Sequence, residues 1–387
     1  MGNPKTVFIV AGEASGDLHA ANLSKELLHI DDHIRLQGMG GRRMREAGVE
    51  VLFDASQLAV VGIIEVLFKY RMIKGVLNQI EAHLRQSPPD LLILVDYQEF
   101  NQKLAAYAKS LGIKVLFYIG PQVWAWRPKR VYKMARIVDQ MAVIFPFEVE
   151  LYKKADVPVE FTGHPLVDEN IPDKTAPQAR QALALEETTT VGLFPGSRMG
   201  EIERLLPIML ASARQLRARH PELQFVLPLA SSVQHQDLAE YGPELSALKV
   251  HVIENNSHDV IQACDSIMVA SGTATLEIGL MGTPMVITHK VAALSYFILS
   301  RLVSISHIGL VNIVPRREIV REFIQNEATP ENLTAETLRI LEDENYNQNM
   351  RNELAKLREL LGAGGGSKNV ARLAYSMLER QHDNNNN

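Results

Sequence analysis

Val7-Phe8-Ile9-Val10-Ala11-Gly12-Glu13-Ala14-Ser15-Gly16-Asp17 decides how the first half of the chain reads. Five apolar residues in a row, ended by a glycine and followed by small and polar residues, predict a strand buried on both faces that turns into a helix. Working outward, Leu91–Val95, Val115–Ile119 and Gln140–Phe145 repeat the buried run. Leu18–Leu28, Met72–Leu84 and Asn101–Leu111 have helical spacing between them. Strands and helices alternating in this way predict a parallel sheet covered on both faces, a doubly wound α/β domain.

The alternation pauses at the charged segment Asp168–Thr190, which contains Pro172 and Pro177 and few apolar residues. It then restarts. Val191–Phe194, Gln224–Pro228, Val250–Ile253, Ser266–Ala270 and Met285–Thr288 read as strands, with helices at Glu201–His220, Gln234–Glu240, Asp259–Ala263 and Thr273–Leu280. A chain of 387 residues exceeds one typical core of roughly 100–200 residues. The expected fold is therefore α/β, with two Rossmann-like domains at 1–170 and 191–361, a linker at 171–190 and a helical C-terminus at 362–383. Ligands of such folds bind at the carboxyl ends of the strands, here in an inter-domain cleft.

Composition excludes several classes. A net charge of -5 argues against a nucleic-acid partner, which selects for strongly basic surfaces. Cys264 is the single cysteine, so no intrachain disulfide forms and a cytoplasmic chain is expected. No signal peptide is visible, and no stretch reaches the roughly 18 uninterrupted apolar residues of a membrane span. No Asp-x-Asp stands at a strand end, and no His, Cys or carboxylate set has metal-ligand spacing. Neither metal nor cofactor is expected. Asn384–Asn387 is set aside from fold reasoning.

Two strand-to-helix loops in the second half suit a phosphate. Phe194-Pro195-Gly196-Ser197-Arg198 precedes a helix, whose first amides and positive end attract anions, and Arg198 adds a fork of donors. Ala270-Ser271-Gly272-Thr273-Ala274-Thr275-Leu276-Glu277 repeats the arrangement, with Glu277 one turn in, where a carboxylate accepts two ribose hydroxyls. Taken singly, each loop also reads as a plain capped turn with a solvated charge; together they point to a nucleotide diphosphate.

In the first half, Gly12-Glu13-Ala14-Ser15-Gly16-Asp17 lacks Gly-x-Gly-x-x-Gly spacing, and Glu13 and Asp17 repel a pyrophosphate. Gly12, Glu13, Ser15, Gly16 and Asp17 thus suit the hydroxyls of an acceptor. Asp96 ends the strand Leu91–Val95 and is the best-placed general base; its other reading is an N-cap for the following helix.

Two aromatic or apolar stretches suggest a membrane surface. Pro121–Arg127 holds Trp124 and Trp126, with Arg127, Lys129, Arg130 and Lys133 beside them, a pairing suited to lipid headgroups. Val60–Lys74 is apolar with sparse cations: Ile63, Ile64, Val66, Leu67, Phe68 and Ile73 are the membrane-facing candidates, and Lys69, Arg71 and Lys74 meet anionic headgroups. Core tryptophans and a core helix are the alternatives.

Ala11–Asp17, Pro121–Arg127, Phe161-Thr162-Gly163-His164-Pro165-Leu166, Pro195-Gly196-Ser197-Arg198 and Ser271-Gly272-Thr273-Ala274 occur in the order seen in the bacterial lipid-A-disaccharide synthase family. The chain resembles that family over about residues 7–320. The resemblance implies a GT-B type inverting glycosyltransferase. Such an enzyme joins UDP-2,3-diacylglucosamine to 2,3-diacylglucosamine 1-phosphate, releasing UDP and forming a β-1,6-linked disaccharide 1-phosphate. At matched positions, Asp96 looks like the base for the acceptor hydroxyl and Arg198 like the diphosphate ligand. Gly196, Ser197, Ser271, Gly272, Thr273, Ala274 and Glu277 resemble the nucleotide loops, and Asn312 and Glu318 match a further polar pair.

The resemblance also implies peripheral association with the inner face of the cytoplasmic membrane. It implies a homodimer exchanging C-terminal segments about the hinge Gly362–Gly366 as well. Two positions depart from the family: Asp96-Tyr97-Gln98-Glu99-Phe100-Asn101 replaces Asp-x-Pro-Asp-Phe-Asn, and Gly40-Gly41-Arg42-Arg43 replaces Gly-Gly-Pro-Arg. The competing readings are a UDP-sugar 2-epimerase of the same fold and a catalytically dead lipid-binding protein.

Overall fold

The computed structural model describes residues 4–55, 65–121, 131–230, 232–291 and 306–385. The chain divides into two compact units, Met1–Pro165 with Gly362–Asn387 and Leu166–Leu361. In the first, β1 (Thr6–Ala11), β2 (Arg35–Gly40), β3 (Glu50–Asp54), β4 (Leu91–Val95), β5 (Lys114–Tyr118), β6 (Gln140–Val143) and β7 (Val159–Phe161) form one sheet. Its order is β3-β2-β1-β4-β5-β6-β7, parallel throughout. The order reverses between β1 and β4, and the chain leaves both strands toward the edge where such sheets bind ligands.

Burial explains which strands were legible. Every residue of β4 is buried, as are five of the six in β1, so both read as continuous apolar runs. β2, β3 and β7 were not anticipated. β2 reads Arg-Leu-Gln-Gly-Met-Gly and has no such run. It pairs closely with β1 because Gly38 lies against the Ile9 backbone, where a Cβ would overlap the Ile9 carbonyl oxygen. β3 and β7 lie at the sheet edges and are partly exposed.

The second unit repeats the plan. β8 (Thr190–Phe194), β9 (Gln224–Leu229), β10 (Val250–Glu254), β11 (Ser266–Ala270), β12 (Met285–His289) and β13 (Glu322–Ile324) are parallel in the order β10-β9-β8-β11-β12-β13. The three-residue β13 was missed because it is too short to carry a pattern, and the element expected at 234–240 is a 3₁₀ helix, His235–Tyr241. The segment expected as a linker belongs to this unit. Its helix Ala176–Ala182 carries Arg180, which is buried, donates to the Ala263 carbonyl and pairs with Asp265 and Glu187 at 2.8 Å each. A buried guanidinium is tolerated because each face of its fork meets an acceptor.

Helices Pro330–Glu342 and Glu344–Leu360 end the second unit. The chain then turns at Gly362 and Gly365, both at positive φ, and helix Gly366–Asn385 packs on helix Ala14–Ile30 of the same chain. Val370, Ala371, Ala374 and Leu378 face inward there, all at most 2% exposed. Leu378→Ala is accordingly expected to destabilise the first unit by about 2–5 kcal/mol, read as a shift of its urea transition. An unshifted transition would mean that the helix is not docked on that unit.

Candidate active site

At the switch point of the first sheet, β4 ends in Asp96 and Tyr97, both left-handed, at φ 49 and 47. Consecutive left-handed residues other than glycine are strained, by about 1–2 kcal/mol each. Neighbouring hydrogen bonds hold them. The Asn101 amide nitrogen donates to the carbonyls of Val95 at 3.3 Å and Asp96 at 2.7 Å, and the Asp96 N–H donates to Tyr118 at 3.0 Å. The turn throws the Tyr97 ring onto Gly12, where any Cβ would overlap the ring. Helix Gln98–Ser110 starts with Tyr97 at its N-cap and no side-chain cap, so Asp96 is not the capping residue.

Asp96 is half-buried, and burial raises its carboxyl above the ordinary range; the negative charge of Glu13 adds to this, and the Tyr97 amide opposes it. A carboxylate poised upward in a concavity is suited to proton abstraction. The concavity is a cavity of about 750 Å³ lined by Glu13, Asp96, Tyr97, Phe100, Ile73 and Leu77, among others.

The remaining predicted residues of this unit separate. Asp17 is buried, and its carboxylate accepts from the amides of Gly41 at 2.6 Å, Arg43 at 3.0 Å and Met44 at 3.3 Å. It therefore anchors the Gly40-Gly41-Arg42-Arg43 turn. Gly16 is buried against Ala11 and the Val95 carbonyl, while Glu13 and Ser15 are exposed. Ile73 packs partly against the core as well as lining the cavity. Ile63 and Ile64 lie outside the described residues, as do the side chains of Val66, Leu67, Phe68 and Lys69 and all of Trp124, Trp126, Arg127, Lys129 and Arg130.

Two residues were missed. Burial, reinforced by Arg43, lowers His19 to about 4; burial, reinforced by His19, lowers His164 to about 3. Both imidazoles are neutral at physiological pH. His164 lies in the Phe161–Leu166 stretch, which was a signal that it matters.

In the second unit, β8 runs into Gly196 at φ 112, and helix Met199–Arg219 follows. The Glu201 carboxylate folds back over this turn: it accepts from the Ser197 amide at 3.3 Å and from Arg198 at 3.4 Å, and it lies where a side chain at Gly196 would fall. Arg198 is 83% exposed, so this pair contributes little and the guanidinium is free to swing to a ligand. At the end of β11, helix Thr273–Leu280 has Gly272 at its N-cap and no side-chain cap, and Gly272 and Thr273 are exposed. Ser271 differs from expectation, because its hydroxyl donates to the Ile308 carbonyl at 2.9 Å. Ala274 and Glu277 are half-buried, and burial raises the Glu277 carboxyl.

Asn312 is fully buried and committed within the fold. Its amide donates to the Val320 carbonyl and Glu322 carboxylate, and its oxygen accepts from the Ile319 and Val320 amides. Glu318 is exposed and pairs with Arg321 at 3.3 Å. Sequence reasoning missed His289, half-buried at the end of β12, where burial lowers its pKa while Glu201 and Glu322 oppose that. It also missed a cavity of about 500 Å³ at the ends of β9 and β10, lined by Leu229, Ala230, Val233, His235, Glu254 and Asn255, among others. The Ser232 hydroxyl joins that segment to the loop after β8 by donating to the Ser197 carbonyl.

Tertiary folding also gathers Asp173, His258 and Asp259, whose potential ligand atoms lie within 4.8 Å of one another, a set that linear spacing did not show. The Lys174 ammonium already sits 2.6 Å from Asp259 and neutralises it.

The family model of lipid-A-disaccharide synthetase matches residues 7–371. The chain is 50% identical over 380 residues to the lipid-A-disaccharide synthase of Geobacter metallireducens, covering 97% of this chain and 98% of that one. It is 40% identical over 375 residues to that of Coxiella burnetii, covering 97% and 99%. Among solved structures, it is similar to the UDP-GlcNAc 2-epimerase from Neisseria meningitidis bound to UDP-GlcNAc, with a TM-score of 0.63, 14% identity and coverage of 96% and 99%. It is also similar to the glycotransferase of kitacinnamycin, with a TM-score of 0.61, 17% identity and coverage of 97% and 100%. At such identities the structures establish the fold, two parallel sheets of GT-B type.

The raised carboxyl of Asp96 has a consequence for stability. A folded pKa above the unfolded one gives stability that is present below about pH 4 and is lost as pH rises through the folded value. Asp96→Asn, which also suits a left-handed backbone, escapes that loss. Its melting temperature should match the wild type near pH 3 and exceed it at pH 7. A lower melting temperature at pH 7 would show that the ionised carboxylate stabilises the turn.

Proposed function

Since the chain belongs to the lipid-A-disaccharide synthetase family, we propose that its two sheets divide one inverting sugar transfer between them. The enzyme is a glycosyltransferase that joins UDP-2,3-diacylglucosamine to 2,3-diacylglucosamine 1-phosphate. In this reading the first unit binds the acceptor at the 750 Å³ cavity and the second binds the donor at the Gly196 and Gly272 loops. The observation that carries it is Asp96: a half-buried carboxylate with a raised pKa, on a strained turn, lining a cavity whose walls are partly apolar.

Asp96 takes the proton from the acceptor's 6-hydroxyl as that oxygen attacks the anomeric carbon of the donor. The bond from that carbon to the diphosphate breaks on the opposite face, UDP departs, and the configuration inverts in one displacement. Arg198, the Ser197 amide and the uncapped amides at Thr273 stabilise the charge that develops on the diphosphate. Glu201 turns away from those amides as the diphosphate arrives, since two anions do not share one helix end. The cavity beside Ser232 takes the nucleobase, and Glu277 accepts the ribose hydroxyls. The epimerase alternative is supported by fold likeness alone.

Both substrates carry acyl chains, and no helix among the described residues is long and apolar enough to cross a membrane. A peripheral seat on the cytoplasmic leaflet suits such substrates, with Ile63, Ile64, Val66, Leu67 and Phe68 entering the interface beside Lys69 and Arg71. The last helix docks on the first unit of its own chain, and in a homodimer the turn at Gly362–Gly366 is the hinge about which two copies would exchange that docking.

Three outcomes test this reading. In excess EDTA, with wild-type turnover retained, Arg198→Ala should lower kcat roughly ten- to hundredfold, the loss of a hydrogen bond to a charged group. Asp96→Asn should lower it about 10²–10⁴-fold with UDP binding intact. An Arg198→Ala rate equal to wild type, or a dead Glu99→Gln beside an active Asp96→Asn, would move those roles elsewhere. Replacing Val66, Leu67 and Phe68 by Ser should shift protein from sedimenting vesicles to the supernatant, with the melting temperature held; unfolding instead would place the stretch in the core.

A further inference from the structure

We propose that Lys74 and Lys103 hold the phosphate of the acceptor and so make the enzyme select a phosphorylated sugar; the inference rests on placing the acceptor in the first unit. Both lysines line the cavity that Asp96 lines. They come from different helices, Glu65–Gln86 and Gln98–Ser110, which pack against each other. Both residues are exposed and stand on the solvent side of that lining.

Four carboxylates share that lining: Glu13, Glu81, Asp96 and Glu99. Glu99 and Lys103 even stand four residues apart on one helix, a spacing that favours pairing. Among the described residues, however, neither lysine makes an ion pair or hydrogen bond through its side chain. Two cations in a concave site are thus left available for an anion from outside the chain. A lysine ammonium is a compact point charge, and two from separate helices suit the oxygens of a phosphomonoester.

The rest of the cavity fixes which way such a ligand lies. Glu13 and Asp96 line the cavity together, and burial first and the Glu13 charge second disfavour a further anion beside Asp96, so both carboxylates repel a phosphate. A sugar carrying a phosphate at one end and a free hydroxyl at the other is therefore driven into one orientation, with the phosphate toward the lysines and the hydroxyl toward the base. The same two charges would orient the acceptor and reject an unphosphorylated sugar.

An anionic lipid headgroup offers the same phosphate chemistry, so the test separates the two sources. Full-length Lys74→Ala/Lys103→Ala is assayed at saturating UDP-diacylglucosamine, with the diacylglucosamine acceptor in neutral detergent micelles, with and without its 1-phosphate. The preference in kcat/KM for the phosphorylated acceptor should fall at least about tenfold through a raised acceptor KM, since each lost contact is charge-assisted. The donor KM should hold, and Lys103→Arg in the Lys74 background should keep most of the preference. An unchanged preference overturns the proposal. So does a defect seen only on anionic vesicles, which would assign the lysines to headgroups. A raised donor KM with an unaltered acceptor KM would overturn the placement of the acceptor itself.

Discussion

Asn101 ties the carbonyls of Val95 and Asp96 to the first turn of the helix that follows them. The strained turn at the end of β4 depends on that clamp. Without it, two adjacent left-handed residues would relax toward ordinary backbone. Tyr97 would then leave Gly12, and Asp96 would turn away from the cavity. The clamp explains why the motif ends in Asn, and why residue 12 has no side chain. It also bears on the departure at Glu99. That residue is exposed on the first turn, away from the hydrogen bonds that fix the strained pair, so an extra methylene there is accommodated.

The two units solve opposite problems. The first holds an anion in place and makes it uncomfortable: burial and Glu13 both work against the Asp96 charge. The fold supports that frustration elsewhere, through the buried runs of β1 and β4 and the docked C-terminal helix. In the proposed reading the second unit receives a ligand that is itself an anion. It keeps its amides uncapped at Gly272 and covers that of Ser197 with the carboxylate of Glu201. In that reading Glu201 holds the place of the diphosphate: it accepts from the Ser197 amide, and its exposed pairing with Arg198 is weak.

Several polar residues that motif reading grouped with ligand binding serve the framework instead. Asp17 accepts three backbone amides of the turn after β2. Asn312 satisfies four partners in the segment leading to β13, and Glu322 beside it accepts the Ile308 and Gly309 amides. Ser271 joins the same scaffold through Ile308. These residues shape the loops around them through hydrogen bonds within the fold. A motif therefore marks a region under constraint, and hydrogen-bond accounting within the fold decides which members are left for the ligand.

The sequence by itself determined the plan: two doubly wound sheets, their central strands to within a residue or two, the strand-to-helix loops after β8 and β11, and Asp96 at the end of β4. These were legible because a strand buried on both faces must be apolar throughout, and because a carboxylate or glycine at its end breaks that run. Tertiary structure alone decided the rest. β2, β3, β7 and β13 lack the run because they are short, lie at sheet edges or, as with Gly38, are shaped by a neighbouring backbone. The return of the last helix to the first unit, the stacking of Tyr97 on Gly12 and the meeting of Lys74 and Lys103 at one cavity join residues far apart in sequence or on different helices. No local pattern encodes such meetings, because a side chain's partners are set by packing between elements and not by its own neighbours in the chain.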